Sequence, residues 1–405
     1  MDKIKIGIPL DSNFDPLSGG SYSYTYQLIK AIDEYAFDEK LEIVFLNFKK
    51  KEVKTQKTLI TFDPFSTYSI GDLIRKVSIL LLNKISFNPF KKFLKKIEFK
   101  HTDSRNQKIK AALNQNNIKV LFHLHPDGNT YNFPFITIHW DIGHLSTYMF
   151  PEFTEEFETR NNYYNNVLPK ALMIITETEF GKQELIAYSK INKNRIGVMP
   201  IFPGEVILEN IPFEIQKKIL VNSKLESKQF FIYPAQFWAH KNHTLLIDAF
   251  DQVLTKYPNL KLILTGSDKG NLQHIKNYIQ FKNLDNQVLI LGFVTNAKLF
   301  TYYKNAIALV MPTYLGPSNM PPLEAAFLNC PVILSDIKGH RELMGDYAHF
   351  FAPSDINTLV KLMLNQIEGK EQKQYQNKEI FNINNALATL EQILLKTAVI
   401  RKNWH

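Results

Sequence analysis

The stretch FFIYPAQFWAHKNHTLLIDAF, residues 230–250, decides the fold. Phe230–Pro234 is a short apolar run of aromatic and β-branched residues, and from His243 to Tyr257 apolar residues recur at helical spacing. A buried strand that leads through a loop into an amphipathic helix is half of a βα unit, and the same alternation continues outward. Downstream it predicts strands at Leu260–Thr265, Val288–Leu291, Ala308–Pro312 and Val332–Ser335, with helices at Leu272–Lys282 and Ala297–Asn305 between them. Upstream it predicts strands at Lys5–Pro9, Glu42–Asn47, Val120–Leu124, Phe135–His139, Leu172–Thr176 and Ile196–Met199. Helices fit at Ser21–Ala36, Thr154–Lys170 and Glu179–Ser189, while residues 48–118 follow no regular pattern beyond an amphipathic helix or two. Pro200-Ile-Phe-Pro203-Gly204 interrupts both periodicities and sets a domain boundary. The fold class is therefore α/β: two doubly wound Rossmann-like domains, residues 1–203 and 204–385, face an interdomain cleft. A terminal helix in 386–405 follows, with Leu387, Leu390, Ile393, Leu394 and Val399 at helical spacing.

Composition bounds the class. A chain of 405 residues with 45% hydrophobic composition supports two or three cores and excludes intrinsic disorder. The single cysteine, Cys330, excludes an intrachain disulfide framework and suits a reducing compartment. No run approaches the ~20 apolar residues of a membrane span. At the N-terminus Lys3 and Lys5 alternate with Ile4, Ile6 and Ile8, which is strand periodicity and not a signal peptide. The expectation is a soluble cytoplasmic protein. Its net charge of +9 is local: residues 75–110 carry eleven Lys/Arg against Glu98 and Asp103, and the remainder balances at 37 of each sign.

Two open α/β domains place ligand crevices at the carboxyl ends of their strands, so the loops there are where chemistry is expected. Gly19-Gly20, after the first strand, allows close backbone approach and frees helix N–H groups for an anion, although a plain tight turn fits equally. It lacks the G-x-G-x-x-G spacing of a dinucleotide fingerprint. Lys241 stands at a helix N-terminus, where its ammonium and the dipole suit a diphosphate, with Asn242 as N-cap; a solvated loop lysine is the bland reading. In Tyr314-Leu-Gly-Pro-Ser-Asn-Met-Pro-Pro-Leu-Glu324 the loop feeds a helix beginning near Pro321 or Pro322. Glu324, placed on its first turn, suits either two ribose hydroxyls or the helix dipole. His139, with Trp140 and Asp141, sits at a strand exit facing the cleft. His123, His125, His139, Asp141 and His144 do not match a zinc spacing, so no metal site is assigned.

Together these loops resemble, in order, the retaining glycosyltransferases of the GT-B fold, glycosyltransferase family 4 (group 1). The resemblance runs through Phe231–Asn242, Leu260–Gly266, Val288–Phe293, Leu299–Asn305, Val310–Pro312, Pro321–Ala326 and Pro331–Asp336, and more loosely through Gly19-Gly20, His139–Asp141 and Thr176–Leu185. It implies a catalytic set of His139, Lys241 and Glu324, with Lys241 on the donor diphosphate, Glu324 on the ribose and His139 near the reacting carbon. Gly19, Gly20, Gln236, Gly316, Ser318, Asn319 and Met320 would bind the donor. Two positions depart from the pattern: the family's arginine falls on Gln236 and the first acid of its E-x7-E pair falls on Gly316. The resemblance implies a nucleotide-sugar donor, a glycan or lipid-linked acceptor, and no metal or other cofactor. The implied reaction is retaining hexosyl transfer in surface polysaccharide or glycolipid assembly. The rivals are a nucleotide-sugar epimerase of the same fold and a non-catalytic nucleotide-sugar-binding protein.

The basic segment interleaves Phe87, Phe90, Phe93 and Phe99, and the spacing of Phe90, Phe93, Leu94 and Ile97 fits a helix at an anionic membrane surface better than stacking platforms for nucleic acid. A basic helix packed on domain one fits equally. Flotation with liposomes separates the two: membrane contact predicts binding that needs anionic lipid and is lost at high salt, whereas binding indifferent to lipid charge contradicts it.

Overall fold

The computed structural model describes residues 3–10, 19–48, 53–62, 105–126, 129–369 and 373–403. Residues 75–104 of the basic segment lie outside the described residues; 105–115 form a helix that buries Ile109 and Leu113.

The first sheet holds β1 (Ile4–Leu10), β2 (Leu41–Asn47), β3 (Leu59–Thr61), β4 (Val120–His123), β5 (Phe135–Ile138), β6 (Ile174–Thr176) and β7 (Ile196–Val198) in the order β3-β2-β1-β4-β5-β6-β7. The second holds β8 (Phe230–Pro234), β9 (Lys261–Thr265), β10 (Val288–Gly292), β11 (Leu309–Met311), β12 (Val332–Ser335) and β13 (His349–Phe351) in the order β10-β9-β8-β11-β12-β13. Every pairing among the described strands is parallel. Parallel strands covered on both faces read as unbroken apolar runs, and the central ones do so here: Phe230, Phe231, Ile232 and Tyr233 are all fully buried.

Strand order reverses between β1 and β4 in one sheet and between β8 and β11 in the other. These are the switch points at which neighbouring loops diverge and leave a crevice beyond the strand ends. The loops at those points are the Gly19-Gly20 turn, the 235–242 segment and the segment that runs from β11 to Met320.

Four elements differ from the sequence expectation. The helix expected over 154–170 is α-helical only at Glu152–Asn162; it widens into a π-helical turn at Tyr163–Val167 and closes as a 3-10 turn at Leu168–Lys170. Pro169, which has no N–H to donate, sits in that last turn. Strands β3 and β13 were not anticipated, being three-residue edge strands whose pattern is too short to register. The terminal helix, Ile383–Lys402, crosses back to domain one. There Glu391 Oε1 accepts from the Asp38 N–H at 2.5 Å, Lys396 Nζ donates to Asn194 O at 3.0 Å, and Ile393 packs where a side chain at Gly197 would stand.

Candidate active site at the interdomain cleft

Domain two contributes the 235–242 loop. Asn242 adopts a left-handed conformation (φ 57°, ψ 41°), which asparagine tolerates, and starts the helix His243–Leu254 without a side-chain cap bond. The expected cap is thus corrected: its Nδ2 instead donates to Pro312 O at 3.2 Å and Pro353 O at 3.0 Å, tying the loop to the end of β11. The loop thereby turns Lys241 toward the cleft, where Nζ donates to Asn319 Oδ1 at 3.2 Å. Burial pulls the Lys241 pKa down to about 8, against the opposing pull of Asp141 and Glu152.

Asn319 occupies the space in front of Gly316. Gly316 has φ 141°, and a Cβ there would stand 2.1 Å from Asn319 Nδ2, so a side chain at 316 is excluded twice, by backbone and by contact. Asn319 Nδ2 donates to Gly316 O at 3.3 Å and lies 3.0 Å from His340 Nε2. His340 Nδ1 bonds Ser335 O at 2.8 Å, which makes Nε2 the acceptor, and burial keeps the ring neutral with its pKa lowered to about 4. The asparagine is thus fixed by its amide group while its carbonyl holds the lysine.

Glu324 lies on the second turn of the helix Met320–Phe327, one turn deeper than expected. Tyr303 donates its hydroxyl to Oε2 at 2.8 Å, and the Gly204 N–H faces the same carboxyl. Burial pushes its pKa up to about 7, opposed by those two donors. Met320, at the head of the helix, fills the gap between Gly20 and Gly204. Gly19, at φ 67°, packs against Gln236 of the other domain, whose Nε2 would stand 2.7 Å from a Cβ at that position. Gln236 also accepts from Trp238 Nε1 at 3.1 Å.

Domain one contributes His139 and its neighbours. The π-helical turn brings Tyr164 between His139 and Asp141: its hydroxyl meets His139 Nδ1 at 2.9 Å and donates to the Asp141 carbonyl. A phenol has one proton, so His139 donates from Nδ1 and presents the Nε2 lone pair. That nitrogen has no partner among the described residues. Burial, reinforced by Arg160 and His144, lowers the His139 pKa to about 4, so the imidazole is neutral. Asp141 pairs with Arg160 at 2.5 Å and accepts from the Gly143 N–H at 2.8 Å, which outweigh burial and hold its pKa low.

Three acids that the sequence reading did not single out join the domains. Glu152 takes the His240 N–H at 3.0 Å together with His240 Nδ1, so His240 belongs to this contact and not to the Lys241 cluster. Glu342 receives the Glu179 and Phe180 N–H groups at 2.6 and 2.7 Å, lending a carboxylate to the start of the opposite domain's helix Glu179–Tyr188. Glu177, buried one residue past β6, accepts from Ser318 Oγ. Of the three, Glu177 alone stands at the carboxyl end of a strand, just past β6.

The cavity nearest these groups, about 410 Å³, lies beside Asp141 and is walled by Trp140, Arg160, Asn162, Tyr163 and Tyr164. A cavity of about 550 Å³ lined by Lys373 and Lys378 lies at the amino ends of β12 and β13, the wrong end of the sheet for this site.

Residues 214–382 match the family model of glycosyl transferases group 1. An uncharacterized glycosyltransferase of Methanocaldococcus jannaschii is 30% identical over 178 residues, 42% of each chain. The O-antigen chain mannosyltransferase B of Escherichia coli is 21% identical over 230 residues, 55% of this chain and 59% of its own. The chain spans about half the length of the curated relatives it matches. Anabaena HepE, solved in complex with UDP and glucose, superposes with a TM-score of 0.64 at 16% identity, covering 98% of this chain and 100% of that one. The fold is thus two Rossmann-like domains in the GT-B arrangement, and the stretch similar to group 1 glycosyl transferases lies in the second of them.

The Lys241 geometry makes a pH prediction. A diphosphate requires the ammonium, and above about pH 8 the free amine must first take up a proton, so affinity falls up to tenfold per pH unit there. Calorimetric titration with UDP and GDP from about pH 7.5 to 9.5 is expected to show that decline, and Lys241→Arg, always charged, to abolish it. A decline of equal slope in both proteins contradicts the assignment.

Proposed function

We propose that this protein transfers a hexose from a nucleotide sugar to an acceptor hydroxyl with retention of configuration, in surface polysaccharide or glycolipid assembly. The observation that carries the reading is the convergence at both switch points of one cation, Lys241, with a helix N-terminus and the half-buried 314–318 loop that leads into it, opposite a neutral histidine. Lys241 neutralises the donor diphosphate. Glu324 exchanges its present donors for ribose hydroxyls, and the Ser318–Met320 backbone meets the sugar and its phosphate. Gly19 and Gly20 approach the phosphates from domain one, and Gln236 and Asn319 complete the polar wall. Stabilising the leaving diphosphate is the main demand, and preorganised donors of this kind are worth ~3–4 kcal/mol each when removed. One lysine, several amides and the dipole of the helix Met320–Phe327 meet much of it with no metal or other cofactor.

The bond to the sugar breaks toward a short-lived oxocarbenium-like ion pair, and the departing phosphate oxygen takes the acceptor proton, so no side-chain nucleophile is assigned. His139 accepts a sugar hydroxyl at Nε2, which its bond to Tyr164 keeps unprotonated. The acceptor, glycan or lipid-linked, enters from the aromatic cavity beside Asp141, where Trp140 and Tyr163 offer faces for a sugar ring. The mannosyltransferase likeness supports a polysaccharide setting, and residues 75–110 supply the contact with an anionic membrane. Among the described residues no helix is long and apolar enough to cross a membrane.

An epimerase reading draws on the two buried cleft carboxyls, Glu177 and Glu324, both raised to about 7 by burial, because epimerisation needs acid and base at the donor. A panel of UDP-, GDP- and dTDP-hexoses, with and without saccharide acceptors, decides between the readings. Transfer predicts one preferred donor, acceptor-dependent turnover, and kcat/KM reduced about 10²-fold or more in Lys241→Ala and in Glu324→Ala. If both variants bind every donor as well as the parent, the assigned site is wrong; conversion of the nucleotide sugar without acceptor makes it an epimerase.

A further inference from the structure

Glu177 is 6% exposed, carries an acceptor-only group when ionised, and meets the donor loop of the opposite domain through the Ser318 hydroxyl. That loop, from Thr313 to Met320, contains no acid, and the space in front of Gly316 is filled by Asn319. Tyr24, on the helix that begins at Gly20, is 3% exposed and stacks on Phe202 with ring centroids 4.8 Å apart. Its hydroxyl is buried beside Glu177 and interacts with that carboxyl, whereas His139 Nε2 is buried with no hydrogen-bond partner among the described residues. Buried polar atoms are almost always paired, so an unpartnered imidazole nitrogen and a buried carboxyl that meets the opposite domain's loop mark places for a polar ligand. The ligand that suits them is polyhydroxylated: a hydroxyl is what Glu177 already binds, and the Glu177 carboxylate and His139 Nε2 both accept from further hydroxyls.

We propose that Glu177 is a specificity-determining residue for the transferred sugar, its carboxylate accepting hydrogen bonds from sugar hydroxyls beside the Ser318–Met320 loop. This rests on the donor reading given above. The acid that the donor loop lacks is then supplied by domain one, so recognition of the hexose adds a carboxylate from domain one to the contacts that Lys241, Glu324, Gly19 and Gly20 make with the nucleoside diphosphate. Burial favours the neutral form of the Glu177 carboxyl, with its pKa pushed up to about 7 against the pull of Ser318 and Tyr24, and Asp141 adds to the rise. Hydroxyl donors on a bound sugar favour the carboxylate instead.

Glu177→Gln keeps the size of the side chain but replaces one acceptor oxygen by a donor. Titration calorimetry against UDP, GDP, UDP-glucose, UDP-galactose, GDP-mannose and GDP-glucose is expected to show bare diphosphate affinity within about twofold of the parent, affinity for the preferred nucleotide hexose reduced about tenfold, and the preference between epimers compressed. Ser318→Ala removes the cross-cleft bond while leaving the carboxyl and the loop backbone, and is expected to compress the epimer preference less than Glu177→Gln does. The inference is overturned if Glu177→Gln binds nucleotide hexoses as the parent does, or loses diphosphates and nucleotide hexoses equally. It is also overturned if Ser318→Ala reproduces the whole effect, which would make the pair a clamp. A parent protein that binds none of the six overturns the donor reading and this inference with it, and is distinguishable because no variant is then needed to see it.

Discussion

A single ammonium, that of Lys241, is drawn out of water between two domains, and the groups around it are arranged to keep it charged without neutralising it in place. Its direct partner is the Asn319 carbonyl, an uncharged acceptor, while the carboxylates that favour its charge, Asp141 and Glu152, are each committed elsewhere: Asp141 to Arg160, Glu152 to His240. A carboxylate bonded directly to the lysine would compete with a phosphate for it. An amide oxygen carries no net charge, so an incoming phosphate displaces it without breaking an ion pair. The absence of a side chain at Gly316 therefore has a physical counterpart: the space is used by Asn319, whose amide is locked by Gly316 O and His340 so that its oxygen faces the lysine.

The remaining cleft contacts decide how the domains approach. Glu342 caps the opposite domain's helix at two N–H groups, Thr178 Oγ1 donates to Pro317 O at 3.1 Å, and Lys30 pairs with Glu205 at 3.4 Å. The last is exposed and contributes little; the first two satisfy backbone groups that would otherwise be orphaned at a helix start and in a loop. The chain's own terminal helix returns to domain one, so the second domain is tethered at the 200–204 crossing and again through Ile383–Lys402. Beside these polar contacts the cleft is held by Phe150 packed on Tyr314 and Phe153 on His240, with ring centroids 5.4 and 6.1 Å apart.

Much of this was legible in the sequence, and the reason is burial. The central strands are covered on both faces, so Phe230–Pro234 and Val332–Ser335 stand out as apolar runs whose limits coincide with β8 and β12. Lys241, His139 and the 316–320 loop were found because each follows a strand end at a crevice. Glu177 follows one too, but it sits in Thr176-Glu-Thr-Glu179, which reads as polar capping residues ahead of a helix, and Thr178 does cap that helix. Only its partner Ser318, 141 residues away, reveals the other role. Glu152 and Glu342 were invisible for the same reason, since nothing local distinguishes them from solvated helix residues. The depth of Glu324 and the left-handed backbone of Asn242 depend on where a helix starts to within one residue, which pattern does not resolve.

The most direct test of the central claim is a crystal of the full chain grown with the hydrolysis-resistant analogue of its preferred nucleotide hexose. The account predicts the diphosphate within about 3 Å of Lys241 Nζ, the ribose at Glu324 and the hexose between His139 and Ser318–Met320. A nucleotide bound elsewhere, or one in this cleft with its phosphates away from Lys241, would contradict it.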